Sequence, residues 1–530
     1  MAIYSKFNSL WSIENGNAYV GKIFIGDEVK FPKDVFHPVD TDYFLDILSK
    51  INGFWGAVIT KGDSFAWIIS DRIRSYPVFY AQKGMDLFIS SDAHWVREQS
   101  SIVEINKEAE QEFLLTEQIT GDDTLFVGLK QLQAGEILIF NLSASEKKWQ
   151  IKSERYYRYL SKETHNYDKE KFLNLLDEAM LTSFQRLCTF ANGRTIVIPL
   201  SGGYDSRLIA LFLKRLDYKK IVAYSYGIKG NEEAKISKEV ADTLNIPWIF
   251  IEYTDKKLNE LFYSNKMKEY SKYSGNYSSL PHTQDWYAVK SLKENNMIPV
   301  DAVFVPGHSS EVPAGSQSSK YPNLYSNASS LEDGISALSD FIYTLSRTKR
   351  NKNIMFKYEK KLKNIAGNMG QYVDAVSLFD SIDIAERQAK FITNSVRVYE
   401  SFGYDWWTPY WDIDFLNFWS EVPKEYRFKN KLYYNYIITQ SKDQGLFPGK
   451  ELKRNGMDKF SRSFSLIIKE KIKYIISALI VDYNLNKQKK KNYLARFINN
   501  EDYKYAKKRG AISVNGMYTI LYIRDIYKEL

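Results

Sequence analysis

Residues 195 to 216 read TIVIPL-SGGYDS-RLIALFLKRL, and this short stretch decides the fold. Its first six residues form an apolar run with the length of a buried strand. The last ten are again strongly apolar and long enough for a helix. Between them lie small and polar residues, Ser201 to Ser206. The stretch therefore predicts a strand, a tight loop and a helix in immediate succession.

The same alternation continues downstream. IVAYSYG (221–227), EEAKISKEVADTL (232–244) and WIFIEY (248–253) follow as strand, helix and strand. This β-α-β-α-β order predicts a parallel sheet with right-handed crossovers. Beyond about Asp255 the sequence predicts mostly helices, interrupted by a strand and loop at AVFVPGHSSEVPAGS (302–316).

The first 160 or so residues have a different pattern, with short apolar runs separated by turn signals. The runs are AYVGKIFI (18–25), FWGAVIT (54–60), FAWIIS (65–70), PVFYA (77–81), DLFISS (86–91) and EILIFN (136–141). Such runs predict mostly β structure. The polar segment at 155–170 separates the two patterns, so we expect one domain at 1–160 and another at 165–530.

The loop SGGYDS has the residues that a phosphate site needs. Its small residues allow the backbone to approach a ligand closely, and a helix N-terminus offers free N–H groups to an anion. Asp205 adds a carboxylate suited to holding Mg²⁺ against phosphates. The alternative is a tight strand-to-helix turn capped by serine and aspartate.

SGGYDS resembles the SGGxDS pyrophosphate loop of the ATP pyrophosphatases, which include asparagine synthetases and β-lactam synthetases. It is not a Walker A loop, which requires GxxxxGK[ST]. The resemblance implies ATP and Mg²⁺ as cofactors, cleavage of ATP to AMP and pyrophosphate, and an acyl-adenylate intermediate. It also implies that the nucleotide is bound by Ser201, Gly202, Gly203, Asp205, Ser206, Tyr226 and Gly227.

A second segment, VPGHSSEVPAG (305–315), is similar to the GEGSDELFGG loop of asparagine synthetases. The resemblance places Glu311 at the Mg²⁺-binding aspartate, beside Asp205 as the second metal ligand. It places His308 at a variable position, where the residue would act as a general base or orient the substrate. Alternatively, His308 only forms local hydrogen bonds.

A third segment, GYDWWTPYWD (403–412), is similar to GxExRxPFLD of the same family and puts Asp405 at the catalytic carboxylate position. The family also uses a lysine near the C-terminus to stabilise negative charge on the leaving pyrophosphate. Lys450, Lys453 and Lys459 are the candidates, and Lys453 is preferred.

The N-terminal domain resembles class II glutamine amidotransferases, on GFWG (53–56) and DRIRSYPVFY (71–80). The fold that this resemblance implies is an antiparallel β-sandwich of Ntn-hydrolase type, in degenerate form. Working glutaminases use an N-terminal cysteine, whereas this chain begins Met1-Ala2-Ile3. Its one cysteine, Cys188, falls in the other predicted domain. We therefore expect no glutaminase activity, and a supporting role for this domain.

The composition is that of a globular protein, with 44% hydrophobic and 26% charged residues in 530. No apolar run is long enough to span a membrane, and no secretory signal is visible. These features, with the single cysteine, predict a cytoplasmic location. The net charge is +9, and the densest basic run, KQKKK (487–491), is interpreted as a solvated face. No nucleic-acid partner is expected.

Together the motifs predict an ATP-dependent ligase that adenylates a carboxylate and transfers it to an amine. The PGHSSE form resembles asparagine synthetase-related proteins of surface-polysaccharide synthesis, which implies a small-molecule carboxylate such as a nucleotide-linked hexuronic acid. The amine, or ammonia, would come directly or from a separate ammonia-supplying partner. A β-lactam or lasso-type cyclase, an ammonia-using asparagine synthetase and a non-catalytic ATP-binding scaffold remain alternatives, and a homodimer is left open.

Overall fold

A computed structural model describes residues 2–36, 41–143, 145–163, 167–325, 329–342, 352–367, 369, 374–442, 446, 497–511 and 513–530. The N-terminal part contains strands β1 (Ile3–Lys6), β2 (Ser12–Glu14), β3 (Asn17–Ile25), β4 (Glu28–Lys30), β5 (Ile51–Thr60), β6 (Phe65–Ser70), β7 (Phe79–Lys83), β8 (Asp86–Ser90), β9 (Lys130–Gln131), β10 (Glu136–Ser143) and β11 (Lys148–Arg155). Its helices are α1 (Pro32–Val35), α2 (Thr41–Lys50), α3 (Ala93–Ser100) and α4 (Lys107–Thr116).

These strands form two sheets that enclose a common core. The smaller sheet has the order β1-β8-β7-β9, and the larger has the order β11-β10-β6-β5-β3-β2, with β4 pairing with β3. Strand β5 shows the alternation that builds the core: Val58 packs between the sheets, whereas Ala57 and Ile59 pack with Phe44 of α2 on the outer face. All pairs are antiparallel except β1 with β8. The likeness to Ntn hydrolases remains a prediction.

The rest of the chain is mostly helical around one parallel sheet. Its strands are β12 (Ile196–Pro199), β13 (Ile221–Gly227), β14 (Trp248–Glu252), β15 (Val303–Phe304) and β16 (Asp405–Trp406). Its α-helices are α5 (Lys169–Ala191), α6 (Tyr204–Arg215), α7 (Glu232–Thr243), α8 (Asp255–Phe262), α9 (Asn265–Gly275), α10 (Trp286–Glu294), α11 (Leu331–Ile342), α12 (Lys352–Gly367), α13 (Ala375–Asp383), α14 (Arg397–Ser401), α15 (Ile413–Glu421), α16 (Lys424–Arg427), α17 (Lys431–Lys442), α18 (Asn500–Lys508) and α19 (Val514–Glu529). A π-helix spans Ile384–Ile392, and 3-10 turns lie at Pro322–Tyr325, Thr393–Val396, Pro409–Trp411 and Phe428–Asn430.

The predicted mixed α/β fold with a parallel sheet is confirmed, in the strand order β14-β13-β12-β15-β16. Strand β12 lies in the centre, and the chain adds β13 and β14 on one side but β15 and β16 on the other. The strand order therefore reverses at β12. In open α/β sheets, ligands bind beyond the carboxyl ends of the strands at such a reversal, which is where the loop after β12 lies.

The N-terminal sheets pack directly onto the parallel-sheet part. The ring of Phe54 lies 4.5 Å from that of Trp407 and 5.3 Å from that of Trp406, measured between centroids. Polar contacts cross the same boundary, because the Lys390 ammonium donates a 2.6 Å hydrogen bond to the carbonyl of Gly121. The last strand of the N-terminal part, β11, ends at Arg155, and α5 begins at Lys169. The domain limits at 160 and 165 remain a prediction. None of the described helices is long and apolar enough to cross a membrane.

Candidate active site

The loop after β12 is held in shape by its own serines. Ser201 Oγ lies 3.1 Å from Ser206 Oγ and accepts a 3.1 Å hydrogen bond from the Gly203 N–H. Gly203 is the N-cap residue of α6 and, as a glycine, supplies no capping side chain. No side chain therefore caps the first N–H groups of α6, which an anion-binding helix start requires.

The loop after β15 packs against this helix start. A Cβ added to Gly307 would lie 2.5 Å from Ser206 N and 2.7 Å from Ser206 Cα, so a side chain cannot fit there. Tyr410, in the turn after β16, donates a 2.6 Å hydrogen bond to the backbone carbonyl of Asp205. Segments from three neighbouring strands therefore meet at the first turn of α6.

Asp205 and Glu311, the two predicted metal ligands, are brought together at this point. The Tyr433 hydroxyl donates to Asp205 Oδ1 at 3.1 Å, and it lies 2.7 Å from Ser310 Oγ. Tyr434 Oη lies 3.5 Å from Glu311 Oε1. Both carboxylates are half-buried.

The electrostatics of this pair favour a bound cation. Burial raises the pKa of Asp205 to about 6. Burial, followed by repulsion from Asp205, raises the pKa of Glu311 to about 7. Among the described residues no lysine, arginine or histidine forms an ion pair with either carboxylate, and no cluster of three or more His, Cys, Asp or Glu side chains could hold a metal. Two carboxylates nevertheless suit Mg²⁺, which keeps several waters and phosphate oxygens as ligands.

Tyr226 and Gly227 lie at the carboxyl end of β13, the strand next to β12. The Tyr226 ring stacks on Tyr253 with centroids 5.2 Å apart. Gly227 has φ +131°, and a Cβ there would lie 3.0 Å from Nδ2 of Asn231, the N-cap residue of α7. Gly202 approaches Glu233 at the start of the same helix. The predicted nucleotide-binding residues thus line one continuous edge of the sheet.

His308 lies on the same loop as Gly307 and is half-buried. Its Nδ1 lies 3.4 Å from Ser309 Oγ, and its Nε2 lies 3.4 Å from Ser395 Oγ. Burial, with a smaller effect of His282, lowers the pKa of His308 to about 4. The imidazole is therefore neutral at neutral pH and can accept a proton or a hydrogen bond.

The structure does not bring Asp405 to this site. Asp405 begins β16 and pairs in register with Val303, the first residue of β15, which itself pairs with Ile196. It is therefore level with Ile196, five residues before Ser201, which is about 16 Å along the strand direction. Its carboxylate is exposed and pairs with Arg194 at 2.5 Å. Its neighbour Trp407, at the arginine position of the motif, is buried against Phe54.

The motif's terminal aspartate, Asp412, has a structural contact instead. Asp412 Oδ2 accepts a 2.8 Å hydrogen bond from the Asn52 amide, and Oδ1 accepts one of 2.7 Å from Arg186. It therefore joins the N-terminal sheet to the parallel-sheet part. Lys453, like Lys450 and Lys459, lies outside the described residues.

Several residues of the site were not predicted. Tyr433 and Tyr410 hold Asp205, and Gln388 accepts a 2.9 Å hydrogen bond from Ser309 Oγ. Ser395 faces His308. Their contacts span tens to hundreds of residues, so no local spacing indicates them. Two sequence signals exist: Tyr410 lies within GYDWWTPYWD (403–412), and KLYYNYI (431–437) falls in a segment similar to the one that precedes the family's last catalytic loop.

Cys188 has no part in the site. It lies in α5, and burial raises the pKa of its thiol to about 11. The thiol is therefore protonated and a poor nucleophile at neutral pH.

Comparisons with solved structures found distant similarities. The first is an ammonia-dependent NAD synthetase from Campylobacter jejuni, with 15% identity, 39% of this chain and 98% of that chain covered, and a TM-score of 0.21. An NMN synthetase from Francisella tularensis has 14% identity, 41% and 92% coverage, and a TM-score of 0.20. A glutamine phosphoribosylpyrophosphate amidotransferase from B. subtilis has 13% identity, 56% and 62% coverage, and a TM-score of 0.17. These scores are too low to support an argument.

No curated protein sequence matches the chain significantly. The family model described as asparagine synthase matches residues 189–273. The matched segment contains the loop after β12, helices α6 and α7, and strands β12 to β14. The predicted resemblance to asparagine synthetases is therefore confirmed over residues 189–273, and it supports an ATP-dependent carbon–nitrogen ligase.

Proposed function

We propose that this protein adenylates a small-molecule carboxylate with ATP, releases pyrophosphate, and transfers the acyl group to an amine with release of AMP. The amine reaches the site directly or from a separate protein, because residues 1–160 contain no cysteine that could serve as a glutaminase nucleophile. In this proposal the N-terminal domain supports the synthetase part and performs no chemistry.

One observation carries the proposal: two carboxylates converge on the start of α6 with no cationic partner among the described residues. Their pKa values, about 6 for Asp205 and about 7 for Glu311, are raised by burial and, for Glu311, by repulsion from Asp205. Placing two repelling carboxylates together costs folding free energy. Binding a divalent cation would recover that free energy.

The residues around the pair fit a nucleotide with its metal. The loop Ser201 to Gly203 and the first N–H groups of α6 would bind the pyrophosphate portion. Tyr226 and Gly227 would border the nucleoside at the neighbouring strand end. Mg²⁺ held by Asp205 and Glu311 would neutralise phosphate charge when bound.

We propose that His308 receives the proton of the attacking amine. A neutral imidazole can accept a proton, and Ser309 and Ser395 fix its orientation. We retain Lys453 as the proposed cation that stabilises the leaving pyrophosphate. A positive charge at that position is what the departing phosphate oxygens need.

The proposed carboxylate is a hexuronic acid used in surface-polysaccharide synthesis, presented as a nucleotide-linked sugar. This part rests on the resemblance of PGHSSE to related proteins and on no contact in the fold. It is therefore tested separately from adenylation.

The test is ATP–pyrophosphate exchange with Mg²⁺ across nucleotide-linked hexuronic acids, aspartate and β-amino acids. We expect exchange that depends on one hexuronic acid in the wild type and is lost in Asp205→Asn. The control is Asp177→Asn, which removes a carboxylate paired with Arg215 away from the loop and should leave exchange unchanged.

Each other outcome contradicts a defined part of the proposal. Exchange with aspartate alone would contradict the polysaccharide substrate but keep the ligase. Exchange with a β-amino acid alone would favour the cyclase. ATP binding without exchange for any carboxylate, after addition of amines and of ammonia, would contradict adenylation and favour the scaffold.

A further inference from the structure

Buried polar groups without hydrogen-bond partners gather beside the proposed site. Among the described residues no hydrogen-bond partner is present for Oδ1 of Asp383, Nε of Arg387, the side-chain atoms of Gln118 or the hydroxyl of Thr393. The carboxylate of Glu117 has only the Asn515 side chain beside it. A buried polar atom left unsatisfied costs about 1–3 kcal/mol. Several such atoms in one region indicate that the region is built to contact something polar.

The π-helix Ile384–Ile392 connects these groups to the reaction centre. Gln388 of this helix accepts the 2.9 Å hydrogen bond from Ser309, the residue after His308. Phe391 contributes its carbonyl oxygen, which lies 2.8 Å from Nε2 of His282. Arg387 directly precedes Gln388. π-Helical turns are rare and occur frequently at functional sites.

Arg387 has a charge that the described residues do not neutralise. Its guanidinium lies 5.2 Å from the ring centroid of Phe341 and forms no ion pair with any described residue. Asp383 and Glu117 are near enough for Arg387 to lower their pKa values. Burial outweighs that effect and raises the pKa of both, to about 7 for Glu117.

Lys390, on the same π-helix, is a buried cation whose charge is neutralised by an ion pair. Lys390, three positions along the π-helix, is completely buried and pairs with Glu386 at 2.6 Å. It also donates to the carbonyls of Ile119 and Gly121. Arg387 has no equivalent set of partners, although its side chain is half-buried. Unlike Lys390, Arg387 therefore has N–H donors that remain available to bind an anion.

We infer that Arg387 binds the carboxylate of an amino-acid acceptor and directs its amine toward His308. This inference rests on the proposed function and specifies the acceptor class. A guanidinium recognises a carboxylate through paired N–H donors. Gln388, which follows Arg387 in the chain, accepts a hydrogen bond from Ser309, which follows His308, so one contact links the two segments. Ammonia, by contrast, has no group for Arg387 to bind.

The transfer step balances with the groups present. The acceptor enters as its free amine, having lost one proton to water. Its nitrogen attacks the acyl carbon of the adenylate, the new C–N bond forms, and the C–O bond to AMP breaks with its electron pair leaving on the AMP phosphate. The remaining surplus proton of the nitrogen passes to the neutral imidazole of His308.

The first measurement is binding, because it does not require turnover. Titration calorimetry with the full-length protein would compare common α-amino acids with their carboxamides, in which the carboxylate is replaced. We expect one or more amino acids to bind and their amides to bind about 10- to 100-fold more weakly, the range for losing a charged hydrogen bond. Arg387→Gln should weaken amino-acid binding by the same factor, with MgATP binding unchanged, and Arg387→Lys should restore part of it.

The control variant is Arg194→Gln, which removes an arginine at the opposite edge of the sheet. It should bind the amino acid as the wild type does. A thermal melt of each variant identifies any that fails to fold. Equal binding of amino acid and amide by the wild type, or unchanged binding by Arg387→Gln, would overturn the inference.

Turnover separates this inference from the proposed function. Exchange needs only the carboxylate donor, whereas acceptor-dependent AMP release needs both substrates. Exchange with AMP release that is independent of Arg387 would overturn the acceptor assignment alone. A loss of donor-dependent exchange in Arg387→Gln would instead assign the anionic group to the donor. Absence of exchange in every arm would contradict the proposed function.

Discussion

The two edges of the parallel sheet hold carboxylates in opposite electrostatic situations. At the edge formed by the carboxyl ends of the strands, Asp205 and Glu311 accept hydrogen bonds from tyrosine hydroxyls. Neither has an ion-pair partner among the described residues. At the amino edge, Asp405 is exposed and paired with Arg194 at 2.5 Å. Asp205 and Glu311 can therefore bind a cation, whereas Asp405 is already neutralised by Arg194.

Burial alone does not account for this difference. Asp412 is more deeply buried than Asp205, and burial raises its pKa as well. Arg186 and Asn52 nevertheless occupy both of its oxygens. The Asp412 carboxylate is thus paired within the fold, whereas Asp205 and Glu311, after β12 and β15, have no cationic partner among the described residues.

The largest expected effect is the difference in exchange activity between a variant at Asp205 and a variant at Asp405. Asp205→Asn should reduce ATP–pyrophosphate exchange by about 100-fold or more, because a charge that holds the metal in the transition state is lost. Asp405→Asn should change exchange by less than about 3-fold, since the ion pair it removes is exposed. Both are measured by isotope exchange at saturating ATP and Mg²⁺. Equal losses would show that Asp405 reaches the reaction after all, as its motif position predicts.

The second effect concerns the close approach of the two loops. Gly307→Ala would place a Cβ 2.5 Å from Ser206 N, which should destabilise the protein by about 1–3 kcal/mol. It should also slow exchange about 10- to 100-fold, since small displacements at a reaction centre are costly.

The control for Gly307 is Gly367, where a Cβ meets nothing within 4 Å. Gly367→Ala should change the free energy of unfolding by about 0.5 kcal/mol at most. Thermal melts and exchange assays of both variants check the prediction. Wild-type activity in Gly307→Ala would show that the loops can separate without loss of function.

The parallel sheet and the position of its loop could be predicted because their signals are local. The apolar run TIVIPL and the loop SGGYDS are adjacent in sequence, and the carboxyl ends of parallel strands share one edge. Asp205 and Glu311 each follow such a strand end within a few residues. The closeness of Asp205 and Glu311 therefore follows from the parallel strand arrangement, which the sequence pattern predicts.

The rest depends on contacts between distant segments. Tyr433 reaches Asp205 across 228 residues, and Tyr410 across 205. Asp405 was placed by its position in a motif, but whether it starts or ends a short strand decides which edge it occupies. That choice depends on pairing with β15, over only two residues. The strand propensities of single residues cannot predict the register of so short a strand pair.

The third effect is the pH dependence of the Mg²⁺ requirement. The pKa values of about 6 for Asp205 and about 7 for Glu311 mean that protons compete with the metal as pH falls from 8 to 6. The half-saturating Mg²⁺ concentration should therefore rise by about 10-fold over this range. It is measured by exchange at constant MgATP. In Glu311→Gln the remaining dependence should move to lower pH, because only Asp205, with the lower pKa of about 6, still competes with protons for the metal. A half-saturating concentration that stays constant with pH in the wild type would contradict this competition.

The smallest effect is on the stability of Asp205→Asn, which should increase while its activity decreases. Because the folded-state pKa of Asp205 is raised to about 6, the folded protein binds more protons than the unfolded chain between about pH 4 and 6, and stability falls as pH rises through that window. Asp205→Asn removes this cost, so at pH 8 without Mg²⁺ it should stabilise the protein by about 1–3 kcal/mol, and the gain should vanish by about pH 4.

Asp405→Asn is the matched comparison, because it loses an exposed ion pair worth about 0–1 kcal/mol and should lower the melting temperature slightly or leave it unchanged. Thermal melts of both variants at pH 4, 6 and 8, with and without MgATP, measure the difference. MgATP should stabilise the wild type more than Asp205→Asn, since only the wild type recovers the cost of its carboxylate by binding. A lower melting temperature of Asp205→Asn at pH 8 would show that Tyr433 and Ser310 already compensate the charge, and that the two edges of the sheet are electrostatically alike.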